Sequence, residues 1–425
     1  MNHDNPIEKN DRIAIIGLGY VGLPLALAFG RHLTTVGYDI NIDRVQQIQA
    51  GNDYTGESSA SQIESATLLT LTCDLSDLSS CNTYIVTVPT PIDGDNQPDL
   101  SLLISASESV GGLLSPGNTV IYESTVYPGA TEEICVPVLE QASGLVFNKD
   151  FFVGYSPERI NPGDTTHTLE TVVKLTSGST GKTAEYVDGL YRAIVKAGTC
   201  KLNTIREAEA AKVIENIQRD VNIALMNELA QIFHRLDINT QNVLQAASTK
   251  WNFLPFSPGL VGGHCIGIDP YYLDHKARSA GYKPSIIPAS RQINELMGSY
   301  VAERVLAGLG DVSNPRILIM GLSFKENCPD LRNTKVIDIY STLRTAGASV
   351  EIYDPWVDQE AAWQEYALDL LEKPEAASYD AIVLAVRHQR FIELGIDTIR
   401  KWGKPGCYVF DVKYLFDHSL TSGRL

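Results

Sequence analysis

The chain has 425 residues, long enough for two or three domains, and its 44% hydrophobic content excludes a disordered or fibrous protein. A formal net charge of −17 argues against a nucleic-acid partner, because phosphate contact needs a basic field. The opening MNHDNPIEKNDR has no cationic segment leading into an apolar one, and no stretch approaches the roughly 18 apolar residues of a membrane helix, so a cytoplasmic protein without a membrane partner is expected.

Residues 12–16 (RIAII) read as a short buried strand, followed by GLGYVG and an apolar helix pattern through Leu33. A second strand, TTVGYD, ends at Asp39. Apolar runs at 84–88, 119–122 and 151–154 alternate with helix-length segments, which predicts a parallel α/β sheet. In the first turn, Gly17, Gly19 and Gly22 form G-x-G-x-x-G between a strand and a helix. The first glycine permits the tight turn and the second lets a pyrophosphate approach the backbone. The third lets helix and strand pack closely, with the phosphates at the helix N-terminus. Such a triplet can also shape a plain turn. Here Asp39 stands at the right distance to accept from ribose hydroxyls, and its charge repels a 2′-phosphate, so NAD is expected rather than NADP.

Thr204 begins a T-x-x-E capping box with Glu207, and a helical run without Gly or Pro extends to about Leu236. That length suggests a connector spanning two domains. Apolar side chains on several faces (Val213, Ile214, Ile217, Val221, Leu225, Leu229, Phe233) predict burial along much of it. Lys212, Asn216 and Arg219 fall at i, i+4 and i+7, on one face. Such a stripe is usually solvated. On so apolar a helix an internal polar site fits better, and burial there would depress a lysine toward general-base range.

GGHCIGIDPYYL (262–273) places Cys265 after two glycines and a histidine, with Asp269 four residues on. Cys265 is either a small buried hydrophobe or a nucleophile presented on a tight loop. His264 reads as a structural or orienting group. The seven cysteines (73, 81, 135, 200, 265, 328 and 407) show no metal-ligand spacing, which predicts reduced thiols and no metal site.

After about residue 310 the α/β rhythm returns with RILIMG (316–321), ASVEIYD (348–354), DAIVLAV (380–386) and CYVFDVK (407–413), without a second G-x-G-x-x-G. The expected fold is α/β: two Rossmann-like doubly wound domains joined by a long central helix and a helical middle domain. The expected boundaries are 1–203, 204–303 and 304–425.

The ordered motifs GLGYVGLP, VPTP (88–91), ESTVYPG (123–129), SPERINPG (156–163), EAAKVIEN (209–216), GGHCIGIDP (262–270) and FKENCPDLRNT (324–334) resemble the UDP-glucose/GDP-mannose dehydrogenase family over nearly the whole chain. The resemblance implies a four-electron oxidation of a nucleotide sugar at C6, using two NAD and a thioester. It makes Cys265 the nucleophile that captures the aldehyde. Lys212 takes the alcohol proton or stabilises the oxyanion, assisted by Asn216. Asp269 and Thr125 position water, and Glu158 aids thioester hydrolysis.

By the same resemblance Gly17, Gly19, Tyr20, Val21, Gly22, Asp39, Arg44, Thr90, Thr125 and Arg332 contact NAD. Arg159, Ile160, Lys212, Asn216, Arg219, Gly262, Phe324, Lys325 and Lys413 contact the UDP-sugar. The cations among them supply locally what a net acidic chain lacks globally. The middle domain is expected to form a homodimer or higher assembly, and the C-terminal domain to bind UDP. Enzymes of this family acting on UDP-glucose carry a second acid in PEFL-x-EG, where this chain has Pro162. That departure, with TKWNFLPF (249–256), resembles the branch acting on UDP-N-acetylhexosamines for capsule and O-antigen. Two other readings are a two-electron hydroxyacid dehydrogenase and a non-catalytic binder of NAD or sugar nucleotide.

Overall fold

The structure, a computed structural model, describes residues 11–160, 166–263 and 266–425. Pro162, His264 and Cys265 lie outside the described residues. The chain forms two compact units, one of Met1–Glu215 with Tyr271–Gly281, the other of Asn216–Pro270 with Tyr282–Leu425.

The first unit holds eight strands: β1 (Arg12–Ile16), β2 (Thr34–Tyr38), β3 (Leu69–Thr72), β4 (Thr83–Val86), β5 (Thr119–Tyr122), β6 (Phe152–Tyr155), β7 (Lys174–Gly178) and β8 (Thr199–Lys201). They run in the order β3-β2-β1-β4-β5-β6-β7-β8, with only the β6–β7 pair antiparallel. In β1, β4 and β5 nearly every residue is buried, as strands covered on both faces require, which is why they read as continuous apolar runs. The order reverses between β1 and β4, and the crevice beyond their carboxyl ends is where an open α/β sheet binds its ligand.

The second unit holds an all-parallel sheet of β9 (Arg316–Met320), β10 (Ser349–Tyr353), β11 (Tyr379–Leu384), β12 (Gly403–Asp411) and β13 (Gly423–Arg424), in the order β10-β9-β11-β12-β13. Its central strands are packed on one side by Met297, Val301 and Val305 from the helix Met297–Leu309. Phe391, Ile399 and Trp402 pack the other side. The helical middle and the two Rossmann-like sheets are as the sequence predicts; β3, β7, β8 and β13 are strands that the apolar pattern did not mark.

The long helix spans Ile205–Arg235. The Thr204 hydroxyl accepts from the Glu207 amide at 3.2 Å, and the Glu207 carboxylate accepts from the amides of Thr204 and Asn203. The capping box is therefore closed in both directions. The expectation of burial on several faces is corrected. Val213, Ile217, Ala224 and Met226 are buried, but Ile214, Leu225 and Ile232 are 53%, 49% and 43% exposed. A helix covered along one stripe leaves apolar residues of the opposite stripe exposed among the described residues.

Candidate active site

In the first unit the turn after β1 has the geometry that a dinucleotide requires. Gly17 adopts φ +94°, and its amide donates to the Tyr38 carbonyl at the end of β2 at 2.8 Å. A Cβ on Gly22 would stand 1.8 Å from the Gly17 carbonyl oxygen and 2.5 Å from Thr87 Oγ1, so only glycine lets the helix Gly22–Gly30 approach the strand. A Cβ on Gly19 would meet nothing within 4 Å. The backbone there faces open space, which is what a phosphate would need. Tyr20 and Val21 are half-buried beside it.

Asp39 follows β2 and is tied to this turn, its carboxylate accepting from the amides of Leu18 (2.8 Å) and Asn41 (2.9 Å). Each oxygen retains lone pairs for a further donor. Arg44 is 3% exposed; it donates to the Leu18 carbonyl and to Asp53 and lies 4.3 Å from the Tyr54 ring centroid. Its Nη1 is buried with no hydrogen-bond partner among the described residues. A buried donor left open in this way is costly unless a ligand satisfies it.

The VPTP and ESTVYPG loops follow β4 and β5 and are pinned to one another. Thr90 Oγ1 donates to the Thr125 carbonyl at 2.6 Å and Ser124 Oγ to the Val88 carbonyl at 2.6 Å. The Tyr272 hydroxyl, from the PYYL end of the cysteine motif, donates to the carbonyls of Thr90 and Pro91. The Thr125 hydroxyl itself makes no hydrogen bond among the described residues.

Glu158 follows β6, and its carboxylate accepts from the amides of Arg159 (2.5 Å) and Ile160 (2.7 Å) and from Lys174 Nζ (3.3 Å). Burial pushes this carboxyl up, but the Lys174 ammonium and the two amides outweigh it and hold it below the usual range. Lys174 also donates to Glu123 at 2.7 Å, and Glu123 accepts from the Tyr191 hydroxyl. The sequence reading missed Glu123, Lys174 and Tyr191. A lone lysine inside the apolar run VVKLTSG was the available signal, since a buried charge needs a partner.

Other expected groups in this unit are engaged differently. The Arg159 guanidinium pairs with Glu215 at 2.7 Å and donates to the Val173 carbonyl, while the Ile160 side chain packs on the apolar core. Lys212 is 8% exposed and makes no hydrogen bond or ion pair among the described residues. Glu209, one helical turn before it, is buried and accepts from the amides of Gly129 (2.5 Å) and Thr131 (3.0 Å).

In the second unit Asn216 is buried and its Nδ2 donates to Asp269 at 2.5 Å, while its Oδ1 accepts from Arg219. The two glycines before the cysteine are dictated by packing. A Cβ on Gly262 would stand 2.6 Å from the Asn333 carbonyl, and one on Gly263, which has φ +93°, 2.7 Å from the Phe324 ring. The Gly263 amide donates to the Arg332 carbonyl at 3.1 Å. The Arg332 guanidinium holds Asp330 through Nε and Nη2.

A shallow pocket opens here, lined by Leu260, Gly262, Phe324, Glu326 and Lys413 among others. The Lys413 ammonium makes no hydrogen bond or ion pair among the described residues, and burial pushes it below the ordinary lysine range. Lys325 is half-buried on the same loop as Phe324. The pocket thus offers a cation and an aromatic face, suited to an anionic ligand with a ring.

That loop rests on a second version of the first unit's turn. Gly321 has φ +95° and donates to the Tyr353 carbonyl at 2.9 Å, and the Leu322 amide donates to Asp354 at 2.7 Å. The Ser323 amide also donates to Asp354, His388 Nε2 lies 3.2 Å from it, and His388 Nδ1 accepts from the Asn327 amide. This turn has Ser323 in place of a second glycine, the Asp354 carboxylate is occupied by these donors, and the loop that follows presents Phe324 and Lys325.

Residues 11–195, 206–296 and 318–418 match the NAD binding, central and UDP binding domains of the UDP-glucose/GDP-mannose dehydrogenase family. The chain is 56% identical over 421 residues to a UDP-N-acetyl-D-glucosamine 6-dehydrogenase of Pseudomonas aeruginosa, covering 98% of this chain and 100% of that one. It is 51% identical over 418 residues to the enzyme of the same name from Salmonella typhi, covering 97% and 98%. Among solved structures, a UDP-D-ManNAc dehydrogenase from Pyrococcus horikoshii superposes with a TM-score of 0.87 at 32% identity, over 97% of this chain and 98% of that one.

Proposed function

Because the chain belongs to the UDP-glucose/GDP-mannose dehydrogenase family, we propose that it oxidises the C6 alcohol of UDP-N-acetylglucosamine to the carboxylate through a thioester on Cys265. The family makes it an NAD-dependent nucleotide-sugar dehydrogenase, with a UDP-binding domain for the substrate. The choice of sugar is carried by the near full-length likeness to two UDP-N-acetyl-D-glucosamine 6-dehydrogenases.

The residues of the first turn fit NAD. The open face at Gly19, the Gly22 contact and the unpartnered Arg44 Nη1 support this reading, with Asp39 toward the ribose. Tyr20, Val21, Thr90, Thr125 and Arg332 complete the proposed cofactor set. When bound, NAD accepts the hydride lost from C6, twice per substrate.

Lys212, buried and without a hydrogen-bond partner among the described residues, takes the alcohol proton or steadies the oxyanion in this proposal. Asn216, fixed by Asp269, assists it. The Cys265 thiolate adds to the aldehyde carbon to form a thiohemiacetal, which then becomes the thioester. Water, positioned by Asp269 and Thr125, attacks that carbonyl and gives its proton to Glu158, and the sulfur leaves as thiolate. Phe324, Lys325, Lys413 and Gly262 line the proposed nucleotide site, with Arg159, Ile160 and Arg219 toward the sugar.

The division 1–203, 204–303 and 304–425 belongs to the proposal, with the middle segment forming a homodimer. The exposed apolar residues Ile214, Leu225 and Ile232 on the long helix support that assembly. The six described cysteines are all free, in keeping with a reducing cytoplasm. The product would serve surface polysaccharide synthesis.

The test is a panel of UDP- and GDP-sugars followed by NADH absorbance. UDP-N-acetylglucosamine is expected to turn over fastest, with two NADH and one 6-carboxylate per substrate. One NADH per turnover eliminates the thioester route. Faster turnover of UDP-N-acetylgalactosamine, UDP-N-acetylmannosamine or UDP-glucose reassigns the substrate.

A further inference from the structure

We propose that Lys174, itself anchored by Glu123, is the positioning residue that holds the Glu158 carboxylate for hydrolysis of the Cys265 thioester. This rests on the role given to Glu158 above. The cluster is graded in depth. The side chains of Glu123 and Lys174 are 0% and 3% exposed, whereas that of Glu158 is 13% exposed. Glu158 is thus the carboxylate that water can reach, and Glu123 is the inner one.

Lys174 Nζ stands 2.7 Å from Glu123 and 3.3 Å from Glu158, so one ammonium serves both carboxylates. The Tyr191 hydroxyl closes the inner side by donating to Glu123. The outer side is closed by the amides of Arg159 and Ile160 on the other Glu158 oxygen. The Glu123 carboxylate on the same ammonium repels that of Glu158, and the Arg159 guanidinium is turned to Glu215.

Stability does not account for this arrangement. Two carboxylates and one ammonium bury a net negative charge, and apolar side chains of similar volume usually serve a core as well or better. What the arrangement does provide is direction. With one oxygen fixed by two amides and the other by a cation, the carboxylate cannot rotate. In hydrolysis the water oxygen forms its bond to the thioester carbon, the C–S bond breaks toward sulfur, and the released proton goes to Glu158. A base held in one orientation performs that step without first reorganising. In sequence, Pro162 occupies the place of the second acid of PEFL-x-EG, so this chain has one carboxylate in that motif.

The double variant E123Q/K174M removes the cation and its anchor together, so the inner carboxylate is not left as a buried lone charge and only the support of Glu158 is withdrawn. Rapid-mixing measurement of NADH separates the oxidation steps from the slower hydrolysis. Hydrolysis is expected to slow about tenfold at neutral pH, and its acid limb to move up by less than the roughly one pH unit expected when a nearby opposite charge alone is lost, because the Glu123 charge that repels Glu158 goes with it. The oxidation burst is expected to stay within about twofold, and K174R to recover the wild-type limb. An unmoved limb with normal hydrolysis overturns the proposal.

E158Q separates this failure from failure of the parent reading. Normal hydrolysis in E158Q removes Glu158 as the base, and Lys174's role with it. Slow hydrolysis in E158Q with a normal double variant refutes Lys174 alone. If the double variant does not fold, E123Q tests the same contact in the opposite direction. Lys174 then has Glu158 as its one carboxylate partner, and the limb must move to lower pH; a limb that stays in place overturns the proposal.

Discussion

Gly19 and Gly22 lie in the same turn, and one added methyl group at each tells their roles apart. At Gly22 an added Cβ meets the Gly17 carbonyl oxygen at 1.8 Å, Gly17 C at 2.9 Å and Thr87 Oγ1 at 2.5 Å. Ordinary contact is about 3.5 Å, so the backbone of the turn must yield by more than about 1 Å. Backbone cannot rotate aside as a long side chain can, so Gly22→Ala is expected to cost about 1–3 kcal/mol, the usual range for overpacking. At Gly19 the same methyl meets nothing within 4 Å, and the residue is not among those with positive φ. Gly19→Ala therefore keeps or slightly raises the stability of the ligand-free protein, by up to about 1 kcal/mol. If pyrophosphate approaches there, the methyl occupies its place, and a loss of about 1.4 kcal/mol or more means at least a tenfold weaker NAD complex. Thermal melting without ligand and fluorescence titration with NAD⁺ read the two effects separately. Gly19→Ala that binds NAD⁺ as well as the wild type refutes the placement of the phosphates. Gly22→Ala that melts like the wild type refutes the close helix–strand contact.

Replacing Asp39 by serine removes the charge beside the turn, so the preference for NAD over NADP should shrink; an unchanged ratio of kcat/KM for the two cofactors means Asp39 does not face the ribose. Cys265→Ser should fold and bind NAD⁺ yet form uronate orders of magnitude more slowly, because an alcohol is a far poorer nucleophile at neutral pH. Cys328→Ser is the control: Cys328 is buried, with its sulfur 3.5 Å from the Asp330 amide, and should remain active, so equal turnover in the two variants rejects Cys265 as nucleophile. Burial lifts Glu209 to about 7 although the Gly129 and Thr131 amides favour its anion. The folded state then binds this proton more tightly than the unfolded chain. Its contribution, about 3 kcal/mol, is present below the ordinary glutamate range near pH 4.5 and is lost as pH rises through about 7. Chemical denaturation of wild type and Glu209→Gln over that window checks it, and parallel profiles would exclude the titration. Changing Leu225 and Ile232 to aspartate places charge on the exposed stripe of the long helix and should convert a dimer to monomers by analytical ultracentrifugation; an unaltered sedimentation coefficient locates the assembly elsewhere.

The dinucleotide turn was readable because its determinants are local. Gly17, Gly19, Gly22 and Asp39 lie within one β-turn-helix-β stretch, where Gly17 answers a positive φ and Gly22 a close contact that no other residue meets as cheaply. The long helix was equally legible, since the Thr204–Glu207 box spans four residues and nothing in the run breaks it. Its burial was misjudged for the complementary reason: apolar character at Ile214 or Leu225 states that a surface wants covering, not that the same chain covers it. Likewise the second sheet was visible as apolar runs, but its reuse of the same turn was hidden. Gly321 and Asp354 are 33 residues apart in a sequence that offers Ser323 where a glycine triplet was sought.

Sequence by itself determined which chemistry-bearing residues the chain possesses and which short stretches would shape them. Tertiary structure decided what those residues touch. Lys174 meets Glu123 across 51 positions, Asn216 meets Asp269 across 53, and Gly263 is a glycine because the Phe324 ring lies 2.7 Å from where its Cβ would be. A residue's identity sets its charge and shape, but its desolvation and its partners are set by segments far away along the chain. That is why Glu158 could be named from its motif, while the lysine that holds it below the usual carboxylate range could not.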